Sequence, residues 1–191
     1  NKQLRSQIPA LPGQTEEIPL GETEIKTLPA VDQNGALAVF PVAAKDVFPD
    51  CRIVIRRPIS KGYFCSLYKG DGAQLVQADV DAISARMREI VEEDILFRRH
   101  EVRTEEAIEM FHNLGYTDKV SLLETSGDVY VNYYTLDGTP DYYYEALVPS
   151  TGYLKVWGLD MYRGGMLLRV PNRHKPEELA PFVEQPKTFE V

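Results

Sequence analysis

A chain of 191 residues, 43% of them apolar, can bury a sizeable core, which excludes disorder as its main state. Its formal net charge of -8 works against a non-specific grip on a phosphate backbone, which needs a basic face. Two local basic clusters stand out against that balance: Arg52, Arg56 and Arg57, and Arg98, Arg99 and His100. The only two cysteines, Cys51 and Cys65, lie in separate apolar runs and read as buried free thiols rather than a disulfide framework. No apolar run reaches the length of a membrane span, and no basic-then-apolar leader opens the chain. A cytoplasmic protein with no membrane partner is the expectation, and the opening Asn reads as a fragment boundary.

Residues 1–31 carry Pro9, Pro12, Pro19 and Pro29 and too few apolar residues for a core, so they read as an N-terminal appendage. The Ala-rich run 36–48 predicts a helix starting near Pro41, where proline fits a first turn. Cys51 to Ile59 alternates as a half-buried strand that Pro58 ends, and Gly62 to Tyr68 forms a second strand. Lys69 to Gly72 is a loop. From Asp79, a capping residue, the apolar positions Val80, Ile83, Met87, Ile90 and Val91 fall on one face of a four-turn helix. A shorter helix follows Thr104, with Glu105 and Glu106 in its first turn, Ile108, Phe111 and Leu114 on its buried side, and Gly115 as its stop.

Beyond Gly115 the period changes to two. VSLLET, DVYVNYYTL, YYYEALV, YLKVWGL and GMLLRV read as five strands, with Ser126-Gly127 and Asp137-Gly138 as hairpin turns. Strands, then helices, then a meander predict an α+β fold: a mainly antiparallel sheet packed against two or three helices. Residues 32–170 form the main domain in this reading, and 171–191, with Pro171, Pro176, Pro181 and Pro186, a C-terminal extension.

Motifs for chemistry are sparse. There is no G-x-x-x-x-G-K-[ST] phosphate loop, and the glycine turns KGDG and YRGG lack the lysine and hydroxyl that follow one. His100, His112 and His174 have no ligand spacing, and neither cysteine has a C-x-x-C partner, so no metal site is expected. Seven of the 11 tyrosines lie between 130 and 153. They suit cross-strand packing, and less strongly a stacking surface for a small molecule, base or partner.

The order of several segments resembles the second N-terminal domain of threonyl-tRNA synthetase, the domain related to the editing module of alanyl-tRNA synthetase. The segments are FPDCRIVIRRPISKGYFCSL, ISARMREIVEEDILFRRHEVRTEEAIEMF, DYYYEALVPSTGYLKVWGL and MYRGG, spanning roughly residues 34 to 170. That family's editing cleft uses a His-x-x-x-His helix and a Cys-x-x-x-His segment. Here the first pair falls on Asn34 and Ala38 and the second on Tyr143 and Leu147, so the resemblance implies a cleft without metal ligands or a proton-transfer group.

FPDCRIVIRRPISKGYFCSL and GGMLLRVPNR also resemble the synthetase-like module that precedes a P-loop domain in bacterial uridine kinase-like nucleoside kinases. NKQLRS at 1–6 resembles the end of their small TGS domain. The resemblance implies a non-catalytic accessory or regulatory module whose partners are its own kinase domain, beyond these residues, and a nucleotide or RNA. It implies no cofactor here, with ATP and magnesium belonging to a transferase domain elsewhere in the parent. Arg98, Arg99, His100, Tyr63, Asp141, Tyr143 and Glu145 would line the remodelled cleft, with Arg52, Arg56 and Arg57 as an alternative patch. A purely structural or domain-interaction module is the competing reading. A metal-free hydrolase using Asp141 and Glu145 as general bases is the third.

Overall fold

Four α-helices and eight strands run in the order β1 (Glu16–Ile18), α1 (Gln33–Val47), β2 (Arg52–Ile59), β3 (Gly62–Tyr68), α2 (Gln77–Glu92), β4 (Phe97–Arg103), α3 (Thr104–Asn113), α4 (Thr117–Ser126), β5 (Tyr130–Leu136), β6 (Thr139–Asp141), β7 (Gly158–Tyr162) and β8 (Gly165–Arg169) among the described residues. The computed structural model describes residues 16–18, 33–59, 62–142, 147–171 and 177–179. The fold is α+β and every strand pairing is antiparallel, in two four-stranded sheets of order β1-β4-β5-β6 and β2-β3-β8-β7. The chain divides into two compact units, one of Asn1–Thr27 with Ile95–Ser150 and the other of Leu28–Asp94 with Thr151–Val191.

In the first unit, β4 and β5 pair in register from Phe97↔Leu136 to Arg103↔Tyr130. Strand alternation then puts Arg98, His100 and Val102 on one face and Phe97, Arg99, Glu101 and Arg103 on the other. Val102, Val131 and Tyr133 pack with Ala107 and Phe111 of α3, Val120 and Leu123 of α4, and Tyr142 in one buried cluster. The turn between β5 and β6 is Asp137-Gly138, both at positive φ (52° and 81°), the geometry of a two-residue hairpin.

VSLLET is not a strand. Thr117–Ser126 is helical, burying Val120 and Leu123 three residues apart, and the Ser121 and Thr125 hydroxyls donate to the carbonyls of Thr117 and Ser121. Six residues of mixed apolar character suit either period, and the available core decided this one. Ser126-Gly127 is accordingly a helix end, not a hairpin turn: Gly127 takes the left-handed conformation at φ 73°. Leu114 is exposed rather than buried, because α3 stops at Asn113 and Leu114 is its C-cap.

In the second unit α1 packs against α2. The helix starts at Gln33, well before the expected start near Pro41, and carries Pro41 in its interior. An interior proline costs roughly 3 kcal/mol. Complete burial of Val39, Phe40, Ala43 and Ala44 offsets that loss. Helix α2 buries Val80, Ile83, Ser84, Met87 and Ile90, while Val91 is half-buried at the margin. Asp79 sits inside the first turn and not at the cap. Its carboxylate accepts from the Val76 amide at 2.9 Å and pairs with Lys69 at 2.6 Å. Desolvation alone would raise its pKa, but the bonds from Lys69 and Val76 outweigh it and hold the carboxyl below the usual range.

Strand β2 does not end at Pro58. It runs to Ile59 across a register irregularity between Ile55 and Pro58, and its place at the sheet edge lets a residue without an amide proton remain. Its burial does not alternate either, with Ile53 and Val54 half-buried and Ile55 exposed. YLKVWGL is not one strand: a 3-10 turn covers Thr151–Tyr153 and β7 begins only at Gly158. Most of YYYEALV, residues 143–146, lies outside the described residues, as does the opening NKQLRS.

The reason for that turn is a clasp on the end of α2. The Thr151 hydroxyl donates to the Ile90 carbonyl at 2.7 Å, and the Gly152 amide donates to the Asp94 carboxylate at 3.2 Å. A Cβ on Gly152 would collide with that carboxylate. Gly152→Ala is therefore expected to lower stability by about 1–3 kcal/mol, the usual cost of a forced shift in a packed site. Urea unfolding checks it, and an unchanged midpoint would show that Asp94 swings away freely.

Candidate functional site

Of the residues expected to line one cleft, the three on β4 do not share a face of the sheet. Arg98 and Arg99 are neighbours on β4 and therefore stand on opposite faces of the sheet. Arg98, exposed, shares its face with His100 and is paired with Thr135. His100 is 3% exposed, its Nε2 lies 3.0 Å from the Thr135 hydroxyl, and its ring stacks on Tyr133 at 5.0 Å between centroids. It is a packed core histidine, and its cross-strand partner Tyr133 is the ring that covers it.

Arg99 is half-buried and stands in register with Tyr134, which stands in register with Asp141. Arg99, Tyr134 and Asp141 thus form one row across three strands, with the Cα atoms of its two charged ends about 10 Å apart. Tyr134 is only 5% exposed. Asp141 is paired with Lys119 of α4 at 3.2 Å, and the Lys119 ammonium also donates to the Tyr142 carbonyl at 3.1 Å. Burial pushes the nearby Tyr116 hydroxyl upward, and Asp141 and Asp118 add to the shift, so it stays a neutral donor at physiological pH.

Tyr63 belongs to the second unit, half-buried on β3 and paired with Leu168 of β8. Tyr143 and Glu145 lie outside the described residues. In the alternative patch, the Arg52 guanidinium lies 4.5 Å over the ring of its cross-strand partner Tyr68, Arg56 is exposed, and the Arg57 side chain lies outside the described residues. Lys119 was the residue that sequence reading missed. It directly precedes the run VSLLET, which reads as a strand and is helical here, and no motif in the sequence singles it out.

Of the four positions onto which the resemblance maps two ligand pairs, Ala38 and Leu147 have described side chains. Ala38 is buried on α1 and Leu147 is fully buried in the first unit. Among the described residues no group of three His, Cys, Asp or Glu side chains is placed to hold a metal ion, and no helix is long and apolar enough to cross a membrane. Both cysteines are buried free thiols, and burial pushes Cys65 up to about 12, which keeps it protonated and unreactive.

No protein-family model matches the chain. Among curated proteins it is similar to the threonine–tRNA ligase of Lawsonia intracellularis, 29% identical over 128 residues, covering 66% of this chain and 20% of the ligase. The ligase of Desulforamulus reducens is 32% identical over 127 residues, covering 65% of this chain and 20% of that protein. The ligase of Streptococcus pyogenes is 31% identical over 127 residues, covering 66% and 19%. The chain therefore spans only about one fifth of the length of the curated relatives it matches. About two thirds of this chain is similar to that stretch of a threonine–tRNA ligase.

Proposed function

We propose that this chain is a non-catalytic accessory module, similar to a domain of threonine–tRNA ligase, that binds a phosphorylated ligand, a nucleotide or an RNA end. The observation that carries the first half is the apolar filling at Ala38 and Leu147 within a threonine–tRNA ligase-like sequence. Neither side chain can hold a metal or move a proton. Hydrolysis of a mischarged tRNA is the activity to assay, with and without added zinc. A rate no faster than the uncatalysed one is the expected result, and multiple turnover would overturn the reading.

The second half rests on the Arg99–Tyr134–Asp141 row, which places a guanidinium on the face opposite His100. A guanidinium makes forked, charge-assisted bonds to phosphate that few other groups reproduce. Arg99→Ala is expected to weaken nucleotide binding by roughly 1–3 kcal/mol, about 5- to 150-fold. Arg98→Ala, on the other face, should change it less than about twofold, a shift under 0.5 kcal/mol. Calorimetric titration of the four ribonucleoside phosphates and a tRNA acceptor-stem mimic measures both. The reverse order of effects would move the site to the His100 face, and no binding by wild type would favour a purely structural or domain-interaction module.

The parent, in this proposal, is a uridine kinase-like nucleoside kinase, with ATP and magnesium held by its P-loop domain and this module docked beside it. The reading frame beyond Val191 tests that directly. A G-x-x-x-x-G-K-[ST] sequence after a predicted strand is the expected finding.

A further inference from the structure

We propose that Lys119 is a positioning residue that neutralises Asp141 and so lets the Arg99–Tyr134–Asp141 row accept a phosphorylated ligand in preference to an uncharged one. This rests on the binding reading above. A carboxylate at one end of the row repels a phosphate held at the other, and in a partly buried site that repulsion is poorly screened. Lys119 answers it. Its ammonium lies 3.2 Å from Asp141 Oδ1, and the two side chains are 21% and 26% exposed, so the pair is partly withdrawn from solvent yet reachable.

The same ammonium fixes where the carboxylate points. It donates to the Tyr142 carbonyl at 3.1 Å, while the Tyr142 amide donates to Asp141 Oδ1 at 2.7 Å. Three bonds thus tie one lysine, one carboxylate and the backbone of Tyr142 together at the end of β6. The lysine is held in turn by its helix, since Val120 and Leu123 of α4 are anchored in the buried cluster. Asp141 and Asp118 both act on the nearby Tyr116 hydroxyl, which burial and these carboxylates push upward, so Tyr116 stays neutral and adds no charge of its own.

Lys119→Met, Lys119→Gln and Lys119→Arg, each with native thermal unfolding, provide the test. Two readouts separate this proposal from the binding reading. The first needs no ligand: hydrogen exchange of the Tyr142 amide should speed up about tenfold or more in Lys119→Met and Lys119→Gln and return to the wild-type rate in Lys119→Arg. Unchanged exchange in both neutral variants would overturn the positioning role whatever the protein binds.

The second readout is calorimetric titration of uridine 5′-monophosphate against uridine. Lys119→Met should lose about tenfold or more in affinity for the monophosphate and less than twofold for uridine, with Lys119→Arg close to wild type. Equal losses for both probes would overturn the charge-selective role. If wild type binds neither probe at millimolar concentration, the binding reading fails and the selectivity fails with it, while amide exchange still decides whether Lys119 holds Asp141.

Discussion

Met87→Asp is expected to lower the unfolding free energy by roughly 3–5 kcal/mol, a large share of the 5–15 kcal/mol that holds a domain together. Met87 is 1% exposed, on the α2 face that also buries Val80, Ile83 and Ile90 completely. Truncating a buried methionine alone costs about 2–5 kcal/mol. An unpaired carboxylate there must either stay charged without water or take up a proton, and both are costly. Ala85→Asp on the exposed face of the same helix is the control, and should cost about 0.7 kcal/mol or less, the difference in helix propensity. Equilibrium urea unfolding of the two variants measures the contrast. A Met87→Asp effect no larger than that of Ala85→Asp would show that this face does not pack against α1.

Helix α2 was legible because its whole pattern is local. Four apolar positions at spacings of three and four residues leave one reading, and nothing distant has to be known. Thr117–Ser126 was not legible in the same way. Its apolar residues are too few to fix a period, and what makes it a helix is a cluster contributed by Val102, Phe111, Val131 and Tyr133, up to 21 residues upstream and 10 downstream of Leu123. Helix α1 shows the same limit in reverse: a local rule about proline pointed to a boundary, and burial of Phe40 and its neighbours overrode it.

The site suffered more than the fold, because strand register joins residues that sequence keeps apart. Arg98, Arg99 and His100 look like one basic cluster in the chain, but alternation along β4 gives Arg99 to one face and the other two to the opposite face. Conversely Arg99, Tyr134 and Asp141 look unrelated until the β4–β5 and β5–β6 registers align them. The tyrosine-rich stretch divides in the same way. Tyr133 and Tyr134 are buried, while Tyr130 at the start of β5 is 57% exposed. Packing therefore accounts for two of these three rings, and the exposed one stands paired with Arg103.

Phe111→Ala should be the most damaging single truncation in the first unit, at roughly 3–5 kcal/mol. Phe111 is fully buried on α3 and lies at the centre of a run of rings. Tyr116 stacks against it at 5.9 Å, Tyr133 meets it edge-on at 6.1 Å, and His100 in turn stacks on Tyr133 at 5.0 Å. Each such pair adds about 0.5–1.5 kcal/mol beyond the area it buries, so removing Phe111 loses two ring contacts as well as its own burial. Val102, Val131 and Leu123 are short side chains already packed in the cluster, so of the residues packed there the partly buried Met110 is the flexible one that can move toward the gap, and relief is partial. Phe111→Leu keeps most of the volume and should cost less than half as much. Near-ultraviolet circular dichroism gives a second signal, because Tyr116 and Tyr133 both lose the ring that fixes their orientation. If Phe111→Ala and Phe111→Leu cost the same, the ring contacts that both variants lose carry the whole effect, and the volume that leucine keeps contributes nothing. If Phe111→Ala costs more and nucleotide binding at the Arg99 face survives at low temperature, the aromatic run is the scaffold and the opposite face of the same sheet is the site.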